Sequence, residues 1–177
     1  MKTIFRSLAA ALLVAALFTP LKTLAQTTPA NNWRLGLGVD AGVPTGSATI
    51  GANFIFGGNA RLQYGTSNNF ALTLTAGADH FFTKMIPGTN TRYQGYGVIP
   101  LKAGIKWFFV PGIYFGGEIG FAEEASSTKF GPTRFVWSPG LGWANAHWDI
   151  SGRYESFSGN GDSYGFVALR VAYGFAL

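Results

Sequence analysis

Few side chains in this chain could do chemistry. Its histidines are His80 and His147, and it has no cysteine. Nucleophilic catalysis needs a nucleophile and a base within hydrogen-bond reach. His80 is followed by Phe81 and Phe82, with no serine two residues on, and no His/Ser/acid set recurs on neighbouring segments. No catalytic residue is assigned, and no enzyme activity is expected. Two imidazoles without a thiolate are a poor transition-metal ligand set, so neither a metal nor any other cofactor is expected. His147 reads as a turn residue beside Trp148. Glu123-Glu124 could attract a divalent cation, but reads as a solvated loop pair.

The charged residues carry more information. Arg34, Asp40, Arg61, Asp79, Lys102, Lys106, Glu118, Arg134, Asp149, Arg153, Glu155 and Arg170 each fall on the polar parity of an alternating segment. Seven are basic and five acidic, close to balance. A buried charge persists only when paired and hydrogen-bonded, so enclosed charges of this kind should form a salt-bridged network. A hairpin at Pro111-Gly112 that pairs Phe108 with Tyr114 sets Gly104 opposite Glu118. Lys102 and Lys106 are then its diagonal neighbours. Arg170 should lie near Asp149 and Arg153.

The elements that must position these residues are strands. In Trp33 to Val43 the odd positions are Trp, Leu, Leu, Val, Ala and Val, while the even ones are Arg, Gly, Gly, Asp and Gly. Such period-2 alternation marks a strand with one apolar face. The split recurs over Asn53 to Tyr64, Phe70 to Phe82, Val98 to Phe109, Ile113 to Phe121, Arg134 to Trp143, Trp148 to Glu155 and Tyr164 to Leu177. The connections alternate too. Residues 65–69, 110–112 and 144–147 are short. Residues 44–52, 83–97, 122–133 and 156–163 are longer. Every longer one follows an odd strand, as in outer-membrane barrels with short periplasmic turns and long outer loops. An even strand count puts both termini on the periplasmic side.

Composition points the same way. Gly is 25 of 177 and charged residues are 12 %, against about 7 % and about 25 % in soluble domains. Hydrophobic residues at 47 % argue against disorder. Lys2 and Arg6, the apolar run Leu8 to Phe18 and Thr23-Leu24-Ala25 form an export signal over 1–25, leaving 26–177 as the barrel domain. The eleven apolar residues are short of the roughly 20 of a spanning helix. Without the signal the chain has ten basic and eight acidic residues, scattered singly, so nucleic acid is not an expected partner. Lack of cysteine excludes disulfides and a lipidated anchor.

The apolar parity also sorts by depth. Trp33, Tyr64, Phe70, Trp107, Phe109, Trp143, Trp148, Tyr173 and Phe175 fall at the short-turn ends. Phe54, Phe56, Phe82, Tyr93, Phe121, Phe135, Trp137 and Tyr154 fall at the long-loop ends, with aliphatic residues between. Two aromatic girdles around an aliphatic band are the membrane pattern. A sheet in lipid must close, because each unpaired backbone group there costs several kcal/mol. The expectation is an all-β, eight-stranded, antiparallel up-and-down transmembrane barrel. Its narrow interior is filled by side chains, with inward glycines making room for long charged neighbours. Pro100 and Pro139 fall inside strands and should each bring a bulge or a local break. Phe81 and Tyr96 carry inward parity, so they plug the outer end of the lumen or lie beyond the membrane.

The run Ile99 to Phe109 (IPLKAGIKWFF) and Tyr114 to Gly120 (YFGGEIG) resemble the small outer-membrane β-barrel domain family, broadly OmpA/OmpX-like. So do Ser138 to Gly142, Asp149 to Glu155 and the closing Leu169 to Phe175. The resemblance implies a bacterial outer-membrane location, outer-membrane lipids around the barrel and recognition of the last strand by the barrel-assembly machinery. It is specific for architecture and weak for function, because such barrels serve many roles. The chain ends in Leu177 where many relatives end in Phe or Trp, and Phe175 takes that part. The leading functional reading is a monomeric structural or surface-interaction protein, its lumen plugged by charge and its outer loops free to contact a partner. A narrow pore, a lipid-modifying enzyme and a soluble lipocalin-like barrel with inverted faces are the alternatives.

Overall fold

A computed structural model describes residues 29–125, 130–159 and 161–177. The segment expected to be an export signal lies outside the described residues. Among the described residues, eight strands run β1 (Trp33–Gly46), β2 (Ala52–Gly65), β3 (Phe70–Thr83), β4 (Tyr96–Val110), β5 (Ile113–Ala125), β6 (Phe130–Ala144), β7 (Trp148–Gly159) and β8 (Asp162–Ala176). Each pairs antiparallel with its chain neighbour, and β1 pairs with β8, so the sheet closes into an up-and-down barrel. A single helical turn, α1 (Ala48–Gly51), caps the β1–β2 connection.

Closure leaves the alternation of the sequence one meaning. The parity of Arg34, Arg61 and Lys102 faces the lumen and is buried, while that of Leu37, Leu101 and Leu169 faces out and is about half exposed. The hairpin at Pro111-Gly112 pairs Val110 with Ile113, and a register shift between Phe108 and Val110 then pairs Phe108 with Tyr114 and sets Gly104 opposite Glu118. Gly112 takes φ +78°, a left-handed conformation suited to glycine.

The connections differ from expectation. Among the described residues, segments 122–133 and 156–163 are largely strand and 44–46 continue β1, because β1, β5, β6, β7 and β8 extend past the aliphatic band and stay paired. The last hairpin closes between Gly159 and Asp162, with Gly161 at φ +80°. Asn160-Gly161 is a two-residue hairpin signal, and it ends what reads as a loop. Segment 84–95 does project as a connection, and it carries a small hairpin with Met85 bridged to Arg92 and Gly88 at φ +78°. The extra length on the outer side therefore lies mostly in strands.

Both prolines interrupt one ladder without shifting it. Between β3 and β4 the pairs run Ala76 with Leu101 and then Asp79 with Val98, skipping Gly77, Ala78, Ile99 and Pro100. Between β6 and β7 they run Trp137 with Ser156 and then Gly140 with Arg153. Each proline stays paired on its other side, with Ala122 and Gly117 respectively. Proline lacks the ladder N–H on the broken side only, so a break without a bulge results.

The outward aromatics fall in two rows. Trp33 packs on Tyr64 at 4.8 Å, Trp148 meets Tyr173 edge-on at 5.2 Å, and Phe70 stacks on Trp107 at 6.3 Å. Trp143 and Phe175 lie at the same end of β6 and β8. At the opposite end Phe54 meets Phe82, Phe121 meets Phe135, and Trp137 meets Tyr154. Tyr93 departs from this row. It lies in the 84–95 connection and packs toward Gly51 of α1, because β4 begins only at Tyr96.

Candidate functional site: the barrel lumen

The lumen has three layers. At its inner mouth Arg34, on β1, donates to the Asn145 carbonyl at 2.8 Å. Its guanidinium occupies the space a side chain at Gly174 would need, so the glycine on β8 admits it. Phe108, Tyr114 and Ala144 pack beside this level.

The middle layer is a continuous chain of opposite charges from six strands. Asp149 (β7) accepts from Lys106 (β4) and from the Tyr114 hydroxyl at 2.6 Å, with Arg170 (β8) at 3.5 Å and Arg61 (β2) at 3.8 Å. Arg61 continues to Glu118 (β5) at 3.0 Å. Glu118 also accepts from Thr75 at 2.6 Å and Thr73 at 3.1 Å, and Lys102 stands 3.9 Å away. Lys102 donates to Glu155, which lies 3.4 Å from Arg153. Arg153 reaches Asp40 (β1) at 3.1 Å, and Asp40 accepts from Asn59, whose carbonyl takes the Arg170 Nε–H at 2.8 Å. Arg61, Lys102 and Arg153 thus each bridge two carboxylates. The ammonium of Lys106 also lies 4.2 Å from the centre of the Tyr114 ring.

All nine charges assigned to this network from the sequence are buried. Eight of them share the chain of ion pairs, and Arg34 sits one level inward. Arg170 does reach Asp149. Lys106 differs from expectation: it bonds to Asp149 across the lumen instead of its diagonal neighbour Glu118. Arg134 also differs. It pairs with Glu124 at the outer rim, donates to the Gly159 carbonyl at 2.9 Å and lies 4.9 Å over the Tyr164 ring. Glu124 is therefore held by Arg134 and by the Tyr164 hydroxyl at 2.7 Å, not solvated as a loop residue. β5 and β6 run on past the aliphatic band and bring these partners together.

Glycines on the lumen face give this layer its room. A Cβ at Gly104 would lie 2.6 Å from Glu118 Cγ, and one at Gly142 would lie 2.6 Å from the Tyr114 hydroxyl. The void among Arg61, Lys106, Tyr114, Glu118 and Arg153 is about 20 Å³, room for about one water.

The outer layer is apolar. Ile55, Phe81, Val98, Ala122, Val136, Phe157, Tyr164, Phe166 and Ala168 form one buried cluster. Phe81 stacks on Tyr96 at 4.5 Å and meets Phe166 edge-on at 6.0 Å, and Phe157 stacks on Tyr164 at 5.3 Å. Phe81 and Tyr96 thus plug the lumen's outer end. The rest of this plug was missed in the sequence. Its signal was apolar residues on the inward parity, at Ile55, Val136 and Phe166 within the expected strands and at Phe157 beyond the expected end of β7.

The histidines stand outside the lumen. His80 faces outward against Phe82 at 4.9 Å, and His147 lies in the 145–147 turn, 5.7 Å from the Tyr173 ring.

Comparison with known proteins agrees on the architecture. No protein-family model and no curated protein matches the chain. Among solved structures it is similar to Ail, the attachment invasion locus protein of Yersinia pestis, at TM-score 0.56 and 14 % identity, covering 82 % of this chain and 99 % of Ail. The Neisserial surface protein A aligns at TM-score 0.54 and 13 % identity, covering 81 % of this chain and 97 % of that one. The N-terminal β-barrel domain of Pseudomonas aeruginosa OprF aligns at TM-score 0.53 and 15 % identity, covering 79 % and 97 %. The fold is that of the small, OmpA/OmpX-like outer-membrane barrels.

Proposed function

We propose that the chain is a monomeric integral protein of a bacterial outer membrane, with a sealed lumen and a structural or surface-contact role instead of a catalytic one. The observation that carries this reading is the inversion of the two faces. The outward face is aliphatic between two aromatic rows, and the inward face holds a closed chain of ion pairs. A soluble barrel would place those charges in water. In this reading the short turns and both termini face the periplasm. The outer strand extensions and the 84–95 hairpin face the exterior, where a protein or surface partner would be met. Outer-membrane lipids surround the barrel, and the assembly machinery inserts it. Ail, of similar fold, carries attachment and invasion in its name and has been seen with a heparin analogue, which favours a contact role over a transport role. The apolar plug and the near absence of free space in the lumen weigh against the narrow-pore reading.

The test is membrane extraction followed by a detergent gel. The expected result is recovery only with detergent, and different migration of boiled and unboiled samples. Recovery in buffer alone with identical migration overturns the reading.

A further inference from the structure

The lumen holds more positive than negative charge. Among the described residues, its buried cations are Arg34, Arg61, Lys102, Lys106, Arg153 and Arg170, and its buried carboxylates are Asp40, Asp79, Glu118, Asp149 and Glu155. A charge taken out of water needs a counter-charge close by. Toward the plug that need is met. Arg153 lies between Asp40 and Glu155, and Lys102 between Glu155 and Glu118. Toward the inner mouth it is not. There Lys106, Arg170 and Arg61 all turn to one oxygen of Asp149, whose other oxygen takes the Tyr114 hydroxyl. Of these three cations only Arg61 has a second carboxylate, Glu118.

Arg170 is the group left short. It is fully buried, and its Nε–H goes to Asn59 at 2.8 Å. A guanidinium has five N–H donors, and neither Nη atom of Arg170 has a hydrogen-bond acceptor. Its Nη2 faces the space over Gly36, where a Cβ would stand 3.9 Å from it and meet nothing closer than 3.7 Å. That space is a void of about 10 Å³, lined by Arg34, Gly36, Arg61, Gln63, Asp149 and Arg170. One particle of about water's size fits there, and a sulfate or a phosphate does not.

We infer that this void is a binding site for one monatomic anion, chloride in an ordinary medium. The anion gives Arg170 the acceptor it lacks and cancels the excess positive charge. Water would meet the donors and leave the charge. The plug around Phe81 and Phe166 closes the outer end, so the ion enters at the inner mouth, past Arg34. It completes the ion-pair chain and goes no further. The inference concerns the lumen alone and stands apart from any surface-contact role.

Crystals of the full chain grown in sodium bromide test it, because bromide replaces chloride and scatters anomalously. The wild type should show one anomalous peak in the lumen, within hydrogen-bond reach of Arg170. Gly36→Ala should lose that peak. Its methyl makes only ordinary contacts, so the barrel folds, yet it occupies the void. Gly117→Ala, outward on β5 where a Cβ meets nothing within 4 Å, should keep the peak. A wild-type lumen that holds water, with an adventitious ion only on the surface, overturns the inference. So does a lumen peak that survives Gly36→Ala. Equilibrium dialysis of the detergent-solubilised wild type against radiolabelled chloride checks the same point without a variant. One chloride retained per chain is expected, and none retained overturns the site.

Discussion

The middle and outer layers of the lumen both fill the barrel, and they do so by opposite physics. The middle layer depends on direction and complement. Glu118 is useful only because Arg61, Lys102, Thr73 and Thr75 converge on it, and removing one partner leaves the others buried and charged. The outer layer depends on volume. Phe81, Phe157 and Phe166 exclude water by filling space, and a neighbour of similar size can do the same. The charged layer therefore specifies register and tolerates little, and the apolar layer seals and tolerates more.

That contrast can be broken by substitution. Glu118→Ala should cost about 3–5 kcal/mol, because it takes from the buried Arg61 and Lys102 one of the two carboxylates each of them bridges. Denaturant unfolding in lipid vesicles measures it, and a loss near zero would remove the network from the account. Phe81→Ala should cost about 3 kcal/mol by leaving a cavity in the plug. The same unfolding assay would contradict the packing argument if the variant were as stable as wild type. Gly142→Val should cost about 1–3 kcal/mol, since its side chain drives into the Tyr114 hydroxyl and its bond to Asp149. The diagnostic is loss of stability greater than for valine at the outward Gly152, where a Cβ meets nothing within 4 Å. Phe166→Leu should stay below about 1.5 kcal/mol, in contrast to the charge deletions. A larger loss would show that the plug is as exacting as the network. Raising salt should change the unfolding midpoint least, because buried pairs are poorly screened. A strong salt dependence would mean that the lumen charges meet bulk solvent.

The two layers were also unequally legible in the sequence. A charge on the inward parity stands out against its apolar neighbours, so the lumen-facing positions of Arg34, Lys102, Lys106 and Arg170 are legible in the sequence. Which partner each would take was less visible. Lys106 reaches across the lumen to Asp149 because barrel closure brings β4 and β7 face to face, and closure is a long-range fact that strand patterns do not contain. The plug was hidden for another reason. An apolar residue at inward parity erases the alternation, so Phe157 read as loop when β7 in fact continues, and Val136 did not stand out within its strand. Asn160-Gly161 was the local sign that the last hairpin ran on. Arg134 and Glu124 were misplaced by the same shortening of β5 and β6.

The proposed function requires a lumen that passes no ions. Planar-bilayer recording of the purified full chain tests it most directly. A sealed lumen gives a silent bilayer, with no unitary current steps at any applied voltage that the membrane survives. Reproducible steps from the wild-type protein would contradict it, because neither the ion-pair chain nor the Phe81–Phe166 plug could then be closed.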